Sequence, residues 1–189
     1  MQTRAGSQEG PKAESDEQLM VRVQQGEVQA FDALFERYRP RLFGFLFRRC
    51  GDAAAAEDLF QESWLRVVRA RDRFDPGRRF STWLFQIANN LCRDRARRRT
   101  VEAREREAMQ AQSDQDGSGA PPPPHALRRA LERRLATLPD RLREVLVLRY
   151  YHDLSEREIA VIAGVPQGTV KSRLHAAIHA LRTETGRDD

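Results

Sequence analysis

The sequence predicts an all-α protein of two small helical domains, joined by a flexible linker and ending in a helix-turn-helix. Apolar residues recur at helical spacing along most of the chain, and no stretch alternates polar and apolar residues as a strand would. This periodicity is absent from residues 100–125, which include Q-S-D-Q-D-G-S-G-A-P-P-P-P-H. Gly and Ser make such a segment flexible, and consecutive prolines extend it.

The linker divides the chain into four parts. We expect a disordered extension over residues 1–14, a first helical domain over 15–99, the linker over 100–125, and a second domain of four helices over 126–185. Roughly 25 linker residues at ~3.3 Å each could span ~80 Å. We therefore expect that the two domains can sit far apart.

Capping signals mark the helices of the first domain. Ser15 and Gln18 have the spacing of a capping box, which begins a short first helix. A second helix runs to Gly51, and Asp52 can cap a third, A-A-A-A-E-D-L-F-Q-E-S-W-L-R. A fourth is predicted over residues 80–99. The acids of the third helix lie toward its N-terminal half, where the helix dipole alone would favour them.

The strongest concentration of positive charge lies at the end of the first domain. Between Trp64 and Arg99 there are eleven arginines and three aspartates, and aromatic residues are interleaved with them. Cations and flat rings together are typical of a surface that binds single-stranded nucleic acid. Aromatic residues are also common in protein cores, so both interpretations stay open for these residues, and Phe80 is expected to be core. The aromatic candidates are Phe74, Phe80, Trp83 and Phe85.

The second domain ends in two helices joined by a glycine-containing turn. Ser155 and Glu158 form a capping box, Gly164 can end the helix in the left-handed conformation, and Pro166 can open the next helix. One side of that next helix is apolar, whereas the opposite side carries small residues with Lys171 on its flank. This layout is typical of a helix-turn-helix that enters a major groove. A solvated basic face is the alternative.

Several classes of protein are not supported. The start of the sequence lacks the apolar core that a signal peptide needs, and no apolar stretch is near the ~20 residues of a membrane span, so we expect a cytoplasmic protein without direct membrane insertion. Cys50 and Cys92 stand alone, which predicts small buried residues rather than a zinc site or disulfide. His179 follows His175 at helical spacing, but no acid lies between them and no third ligand follows. The spacing G-x-x-x-G-x-x-K from Gly164 is not that of a phosphate-binding loop, so we expect no cofactor and no enzyme.

Four motifs carry a resemblance to a known family. They are D-A-L-F-E-R-Y-R-P-R-L, A-E-D-L-F-Q-E-S-W-L-R, F-S-T-W-L-F-Q-I-A-N-N-L-C-R-D-R-A-R-R-R, and L-P-D-R-L-R-E-V-L-V-L-R-Y with L-S-E-R-E-I-A-V-I-A-G-V-P-Q-G-T-V-K-S-R-L-H. They closely resemble the extracytoplasmic-function sigma factors of bacteria, over about residues 16–99 and 125–182. The resemblance implies binding to core RNA polymerase, reading of the minus-ten and minus-thirty-five promoter elements, and promoter melting, with no chemistry done by the chain itself.

The resemblance also assigns residues to these roles. Those matching the motif that docks on the clamp helices of the largest polymerase subunit are Glu57, Asp58, Leu59, Gln61 and Glu62. Those matching the reader of the opened minus-ten strand are Arg78, Arg79, Trp83, Asn90, Asp94, Arg97 and Arg98. Those matching the minus-thirty-five reader are Gln167, Thr169, Lys171, Ser172, Arg173 and His175. An anti-sigma factor is a further implied partner.

The sequence departs from the family pattern at three positions. Asn89 stands where the family usually has Arg, Val68 where it often has Trp, and Pro166 where a Ser or Asp cap is common. The alternative function is a free-standing helix-turn-helix regulator of transcription. Such a regulator usually needs a dimerisation surface to double its site, and the sequence shows no heptad pattern or matching half.

Overall fold

The computed structural model describes residues 14–109, 133–152 and 154–185, with the side chains of 103–109 and 183–185 excepted. These residues form α1 (Asp16–Gln24), α2 (Val28–Cys50), α3 (Ala53–Ala70), a short 3-10 turn (Arg71–Arg73), α4 (Phe80–Met109), α5 (Asp140–His152), α6 (Glu156–Ala163) and α7 (Gln167–Thr185). Residues 133–137 are also helical. We call residues 14–109 the N-terminal half and residues 133–185 the C-terminal half. The predicted all-α class is confirmed.

Local signals set the ends of the capped helices. At the start of α1 the amide of Gln18 donates to Ser15 Oγ at 3.2 Å, and the amide of Ser15 donates to Gln18 Oε1 at 2.9 Å. The same reciprocal pair joins Ser155 and Glu158 at the start of α6, at 3.3 and 2.9 Å. Gly164 ends α6 with φ of 60°, in the left-handed region that glycine adopts at low cost. These three predicted boundaries are confirmed.

The fourth helix is longer than the sequence pattern predicted. α4 continues through Met109, whereas the first domain was expected to end at Arg99 and the linker to begin at residue 100. Residues 100–109 lose the apolar periodicity, but their Glu, Arg and Ala residues are strong helix formers, which favours continuation of the helix. The rest of the predicted linker and residues 126–132 of the predicted second domain lie outside the described residues. Of the predicted extension only Glu14 is described, and it accepts a hydrogen bond from Arg22 at 2.7 Å.

The two halves are packed against each other in this structure, an arrangement that the expectation of two separable domains did not include. α2 packs on α5 and α4 packs on α6. One cluster of buried apolar side chains extends from Leu19 in α1 through Phe85 in α4 to Ile159 in α6 and Leu174 in α7. The expectation rested on the length and composition of the linker alone. Burial of matching apolar faces decides the arrangement, and those faces are far apart in the sequence.

His152 lies where the halves meet. Its ring centroid is 4.6 Å from that of Phe85 in α4 and 5.7 Å from that of Phe45 in α2. Neither ring nitrogen has a hydrogen-bond partner among the described residues. Burial, and then the positive charges of Arg41 and Arg48, lower the pKa of His152 from 6.5 to about 3. The imidazole is therefore neutral near pH 7.

This low pKa predicts a loss of stability in acid. Because the pKa of His152 in the folded chain lies below its ordinary value of 6.5, its contribution to stability is complete above that pH and is lost as the pH falls toward 3. Between pH 7 and pH 4 we expect the wild-type chain to lose on the order of 2 to 3 kcal/mol more unfolding free energy than His152→Leu. Urea titrations followed by circular dichroism at both pH values check this, and parallel losses in the two proteins would contradict it.

The two cysteines lie next to each other, which the sequence did not indicate. Cys92 is buried, as expected for a small apolar residue, and Cys50 is half-buried against the same core. A hydrogen bond between the two thiols lowers the pKa of Cys50 and raises that of Cys92.

Candidate functional site

Helix α3 has an apolar face that is buried and an acidic face that is exposed. The helix begins at Asp52, whose Oδ1 accepts a hydrogen bond from the amide of Ala55 at 2.6 Å. Trp64 and Val67 belong to the buried face, with 4% and 0% of their surface exposed. Helix α3 packs against α2, α4 and the 3-10 turn. Of the two valines that the sequence offered for this core, Val67 is inside and Val68 is exposed.

Four of the five residues assigned to polymerase binding lie on the outer face of α3. Glu57, Asp58 and Gln61 are exposed, and Glu62 is half-buried. Gln61 donates to Glu57 at 3.3 Å and Arg66 donates to Glu62 at 2.9 Å. No residue in the described ranges forms an ion pair with Asp58 within 4.0 Å. The carboxylate of Asp58 is therefore exposed and has no ion pair within 4.0 Å among the described residues.

Leu59 differs from the other four. Only 8% of its surface is exposed, and it belongs to the main core cluster. Its side chain therefore packs in the core beneath the acidic face, and only a small part of its surface is accessible to a partner.

The turn between α3 and α4 is held by main-chain contacts to the first helix. Gln24 Nε2 donates to the carbonyl oxygens of Arg71 and Phe74 at 2.9 and 3.0 Å. Glu17 accepts a hydrogen bond from the amide of Phe80 at 3.0 Å, so the start of α4 is also fixed to α1. The turn that carries Arg78 and Arg79 is therefore joined to α1 on both sides of these residues.

The two arginines of this turn have different surroundings. The side chain of Arg78 is 79% exposed and lies 3.5 Å from Asp75. Arg79 is also exposed, but its Nη1 donates to Glu158 in the C-terminal half at 2.9 Å. Arg78 is therefore open to a ligand, whereas Arg79 is engaged by the other half of the chain.

Most of the aromatic residues in this basic region are core. Phe74, Phe80 and Phe85 have 4%, 0% and 0% of their surface exposed, so the stacking interpretation is wrong for all three. Trp83 is half-buried, and its ring centroid lies 5.2 Å from that of Phe74. Among these four aromatic residues Trp83 alone presents part of its ring to solvent.

The outer side of α4 carries the remaining residues assigned to the minus-ten element. Asn90, Arg97 and Arg98 are exposed, and Asp94 is half-buried 3.8 Å from Arg97. Because a helix turns about 100° per residue, the neighbouring Asn89 faces inward, where it is fully buried. The sequence difference from the family at Asn89 therefore falls on the interface between the halves.

A groove of about 650 Å³ between α3 and α4 brings two sets of assigned residues together. Asp58 and Glu62 line it from α3, while Asp94 and Arg98 line it from α4. Acidic and basic groups therefore face each other across the groove, and the proposed polymerase and minus-ten surfaces adjoin. The sequence had placed them on separate helices without indicating this contact.

The outer face of α7 is polar and its inner face is apolar, as the sequence predicted. Val170, Leu174 and Ala177 are buried. Of the residues assigned to the minus-thirty-five element, Thr169 and Arg173 are half-buried, and the exposed ones are Gln167, Lys171, Ser172 and His175. Small residues separate these polar groups, which allows the helix backbone to approach a groove closely.

Lys171 and Arg173 of α7 have different charged neighbours. Lys171 Nζ lies 3.8 Å from Glu156 on the surface, and Gln167 donates to the same carboxylate at 3.3 Å. Arg173 points inward, with its Nη1 3.9 Å from Glu144, and only 22% of its side chain is exposed. Lys171 is therefore the better placed of the two to contact DNA in this conformation.

Sequence reasoning missed a set of polar residues between the halves. Asn89 and Arg93 of α4 contact Glu144 of α5, and Arg49 of α2 contacts Asp140 at the start of α5. The one signal in the sequence was the acid Glu144 beside the apolar run V-L-V-L, which places a carboxylate at a position that helical packing can bury.

The ranges that the structure describes contain neither a membrane-spanning helix nor a metal-binding cluster. None of its helices is both long and apolar enough to cross a membrane. No cluster of three or more His, Cys, Asp or Glu residues in the same ranges could hold a metal ion.

Comparisons with known proteins identify two regions of one family in this chain. Residues 34–101 match the family model for sigma-70 region 2, and residues 128–181 match that for sigma-70 region 4. The chain is 34% identical to the ECF RNA polymerase sigma factor SigW of Bacillus subtilis over 172 residues, covering 86% of this chain and 92% of that protein. It is 39% identical to the RNA polymerase sigma factor CarQ of Myxococcus xanthus over 169 residues, covering 88% and 95%.

A solved structure extends the likeness to three dimensions. CnrH in complex with the cytosolic domain of CnrY superposes with a TM-score of 0.71 at 25% identity, covering 93% of this chain and all of that chain. Matches to region 2 and region 4 together, in this order, favour a sigma factor over a free-standing helix-turn-helix regulator. The chain therefore belongs to the extracytoplasmic-function sigma factors, the initiation factors, not themselves enzymes, that direct RNA polymerase to specific promoters.

Proposed function

We propose that the acidic face of α3 docks this sigma factor on the clamp helices of the largest subunit of core RNA polymerase. The observation that carries the proposal is the exposed position of Glu57, Asp58 and Gln61 over a buried apolar side of the same helix. A helix that exposes a carboxylate without an ion pair among the described residues is suited to a basic partner surface, because electrostatic complementarity sets both the register and the rate of association.

We further propose that the turn after α3 and the outer face of α4 capture the opened minus-ten strand. Arg78, Arg97 and Arg98 supply exposed cations for phosphates. Trp83 is half-buried and supplies an aromatic ring on which an unpaired base can stack. Phe74 and Phe80 are buried and hold Trp83 in position, with ring centroids 5.2 and 6.2 Å from its own.

The third proposed contact is between α7 and the minus-thirty-five element. Its exposed residues Gln167, Lys171, Ser172 and His175 follow a helix start at the surface, which suits insertion of the N-terminal part of α7 into a major groove. Thr169 lies beside them and is half-buried. The sequence from Gly164 to Arg182 contains no acid that would repel phosphates.

Reconstituted transcription tests these assignments together. The full chain is mixed with bacterial core polymerase and a library of genomic promoters, and the 5′ ends of the transcripts are sequenced. We expect initiation from a small set of promoters that share two elements. Absence of any promoter-specific product, with the chain shown to be folded by circular dichroism, would contradict the proposal.

Lys171→Ala should weaken promoter binding through the loss of one phosphate contact. For a single released counterion we expect the slope of log affinity against log salt concentration to fall by about one unit. The slope is measured with the polymerase holoenzyme on a promoter found in the library. Arg182→Ala, at an exposed position near the end of α7, is the matched control. An unchanged slope for Lys171→Ala would place its ammonium group away from the DNA backbone.

We propose a cytoplasmic location and a protein that holds the factor inactive. The location follows from the site of transcription in bacteria. Support for the partner comes from CnrH, whose solved structure contains the cytosolic domain of CnrY and resembles this chain over both halves. An anti-sigma factor is therefore the partner class that we propose, and co-purification of the chain from its native host, with mass spectrometry of bound proteins, tests it.

A further inference from the structure

Two thiols from different helices meet at the core of the N-terminal half, and we call them the thiol pair. Cys50 is the last residue of α2, and Cys92 lies near the middle of α4. The two helices pack against each other, and a hydrogen bond joins the two thiols. The sequence contains no other cysteine, so an intramolecular disulfide in this chain can join only these two residues.

The position of Cys50 at a helix end allows the two sulfur atoms to come closer. A disulfide needs a sulfur–sulfur distance of about 2.05 Å, which is shorter than any hydrogen bond between thiols. Gly51 follows Cys50 and ends α2 in the left-handed conformation, with φ of 71°. Helix ends fray more readily than helix centres, so the end of α2 can adjust while Cys92 stays fixed in the core.

The two thiols differ in exposure and in charge environment. Cys50 is half-buried, whereas Cys92 is only 5% exposed. The hydrogen bond with Cys92 lowers the pKa of Cys50. The positive charges of Arg49 and Arg95 act in the same direction, while burial and the charge of Asp140 oppose them. Because a thiol reacts as the thiolate and must be accessible, Cys50 is the one of the two that can attack an oxidant.

We propose that Cys50 and Cys92 form a reversible disulfide when the chain meets hydrogen peroxide, so that the N-terminal half itself responds to oxidation. In the first step the Cys50 sulfur attacks one peroxide oxygen, the O–O bond breaks, and the second oxygen leaves as water with the thiol proton. In the second step the Cys92 sulfur attacks the sulfenic sulfur of Cys50, the S–O bond breaks, and a second water leaves with the Cys92 proton. The thiols lose two electrons in total, and the peroxide gains them.

The disulfide encloses residues 51–91, which include all of α3, the turn after it and the first part of α4. Closing this loop covalently restricts the unfolded chain, so the oxidised protein is the more stable form. We expect the equilibrium constant for unfolding to fall by about 30-fold or more on oxidation. A dithiol reductant reverses the bond by thiol–disulfide exchange. Disulfides in a reducing compartment are usually transient, which suits a response to oxidant rather than a permanent cross-link.

Mass spectrometry of the full chain after peroxide treatment tests the proposal directly. The reduced protein is exposed to hydrogen peroxide, free thiols are blocked with iodoacetamide, and the chain is digested with trypsin without reductant. We expect a monomer that is lighter than the reduced chain by two hydrogen atoms, and a peptide containing Cys50 linked to one containing Cys92. Dithiothreitol should restore both free thiols. Two free thiols after peroxide treatment, or disulfide-linked dimers in place of the monomer, would overturn the proposal.

Single substitutions separate the roles of the two thiols. With Cys92→Ser no second thiol is present, so peroxide should leave a sulfenic acid at Cys50 that dimedone traps. Cys92→Ala keeps the buried site apolar and covers the case in which the serine variant does not fold. With Cys50→Ser the remaining thiol is buried, and dimedone should label it at most weakly in the folded chain. Equal labelling of the two single-cysteine chains would contradict the assignment of Cys50 as the attacking thiol.

Urea unfolding of the oxidised and the reduced chain tests the effect on stability. The oxidised wild type should unfold at a higher urea concentration than the reduced form, and dithiothreitol should abolish the difference. Cys50→Ser, treated with peroxide in the same way, should show no such increase, which controls for oxidation of methionine. An oxidised wild-type chain that unfolds no later than the reduced chain would overturn the stabilising role. These measurements need neither polymerase nor DNA, so their results are independent of the proposed function.

Discussion

Asp58→Arg should abolish binding of the chain to core RNA polymerase while leaving the chain folded. Asp58 is exposed on the outer face of α3 and has no ion pair within the described residues, so its charge is available to a basic partner. Reversal replaces attraction with repulsion at the centre of the proposed interface, and we expect the affinity to fall about 100-fold or more. A pull-down of core polymerase on the immobilised chain, followed by titration, measures this loss.

The matched control is Asp72→Arg, which makes the same charge change on the exposed turn after α3. Exposed substitutions of this kind usually alter stability by no more than about 0.5 kcal/mol, so both variants should unfold near the wild-type urea concentration. Undiminished polymerase affinity in Asp58→Arg would remove α3 from the docking surface. Equal loss in both variants would point to net charge rather than to the acidic face.

Phe85→Ala should destabilise the whole chain by about 3 to 5 kcal/mol, the usual cost of deleting a buried phenyl ring. Phe85 has no exposed surface and packs on Phe45 and on His152, so its ring contacts both halves. Chemical unfolding followed by circular dichroism measures the change. Leu65→Ala, at a side chain that is 49% exposed, is the control and should cost less than about 1 kcal/mol.

Trp83→Ala separates a core role from a DNA-binding role in the same helix. Because Trp83 is half-buried, its loss should leave the chain folded, yet promoter opening by the holoenzyme should fall, as measured by permanganate reactivity of the minus-ten strand. Wild-type stability in Phe85→Ala would contradict the core role of Phe85. Normal promoter opening with Trp83→Ala would contradict the DNA-binding role of Trp83.

The difference between Phe85 and Trp83 shows where sequence reasoning reached its limit. Both are aromatic residues in the same basic helix, and composition allowed either to be core or stacking surface. Helical periodicity identified one apolar side of α4, but it could not show that α2 and the C-terminal half cover α4 from two directions. Burial of Phe85 is decided by Phe45 and His152, neither of which is near it in the sequence.

Residues of the candidate surfaces were predictable only where their orientation does not depend on contacts with distant parts of the sequence. Lys171 lies where the sequence pattern placed it, because the faces of α7 follow from the spacing of its own apolar residues. Arg173 belongs to the same helix and the same pattern, yet it turns toward Glu144 of α5. Its orientation depends on an acid from another helix, which periodicity within α7 does not reveal.

The sequence by itself determined the helical class and the capped ends of α1, α3 and α6, because caps and apolar periodicity act over a few residues. It also determined the exposed acids of α3. Only the tertiary structure decided that the two halves pack together and that Asn89 and Arg93 close on Glu144. Those contacts join residues more than fifty positions apart, and their formation depends on burial of surfaces that no local pattern pairs.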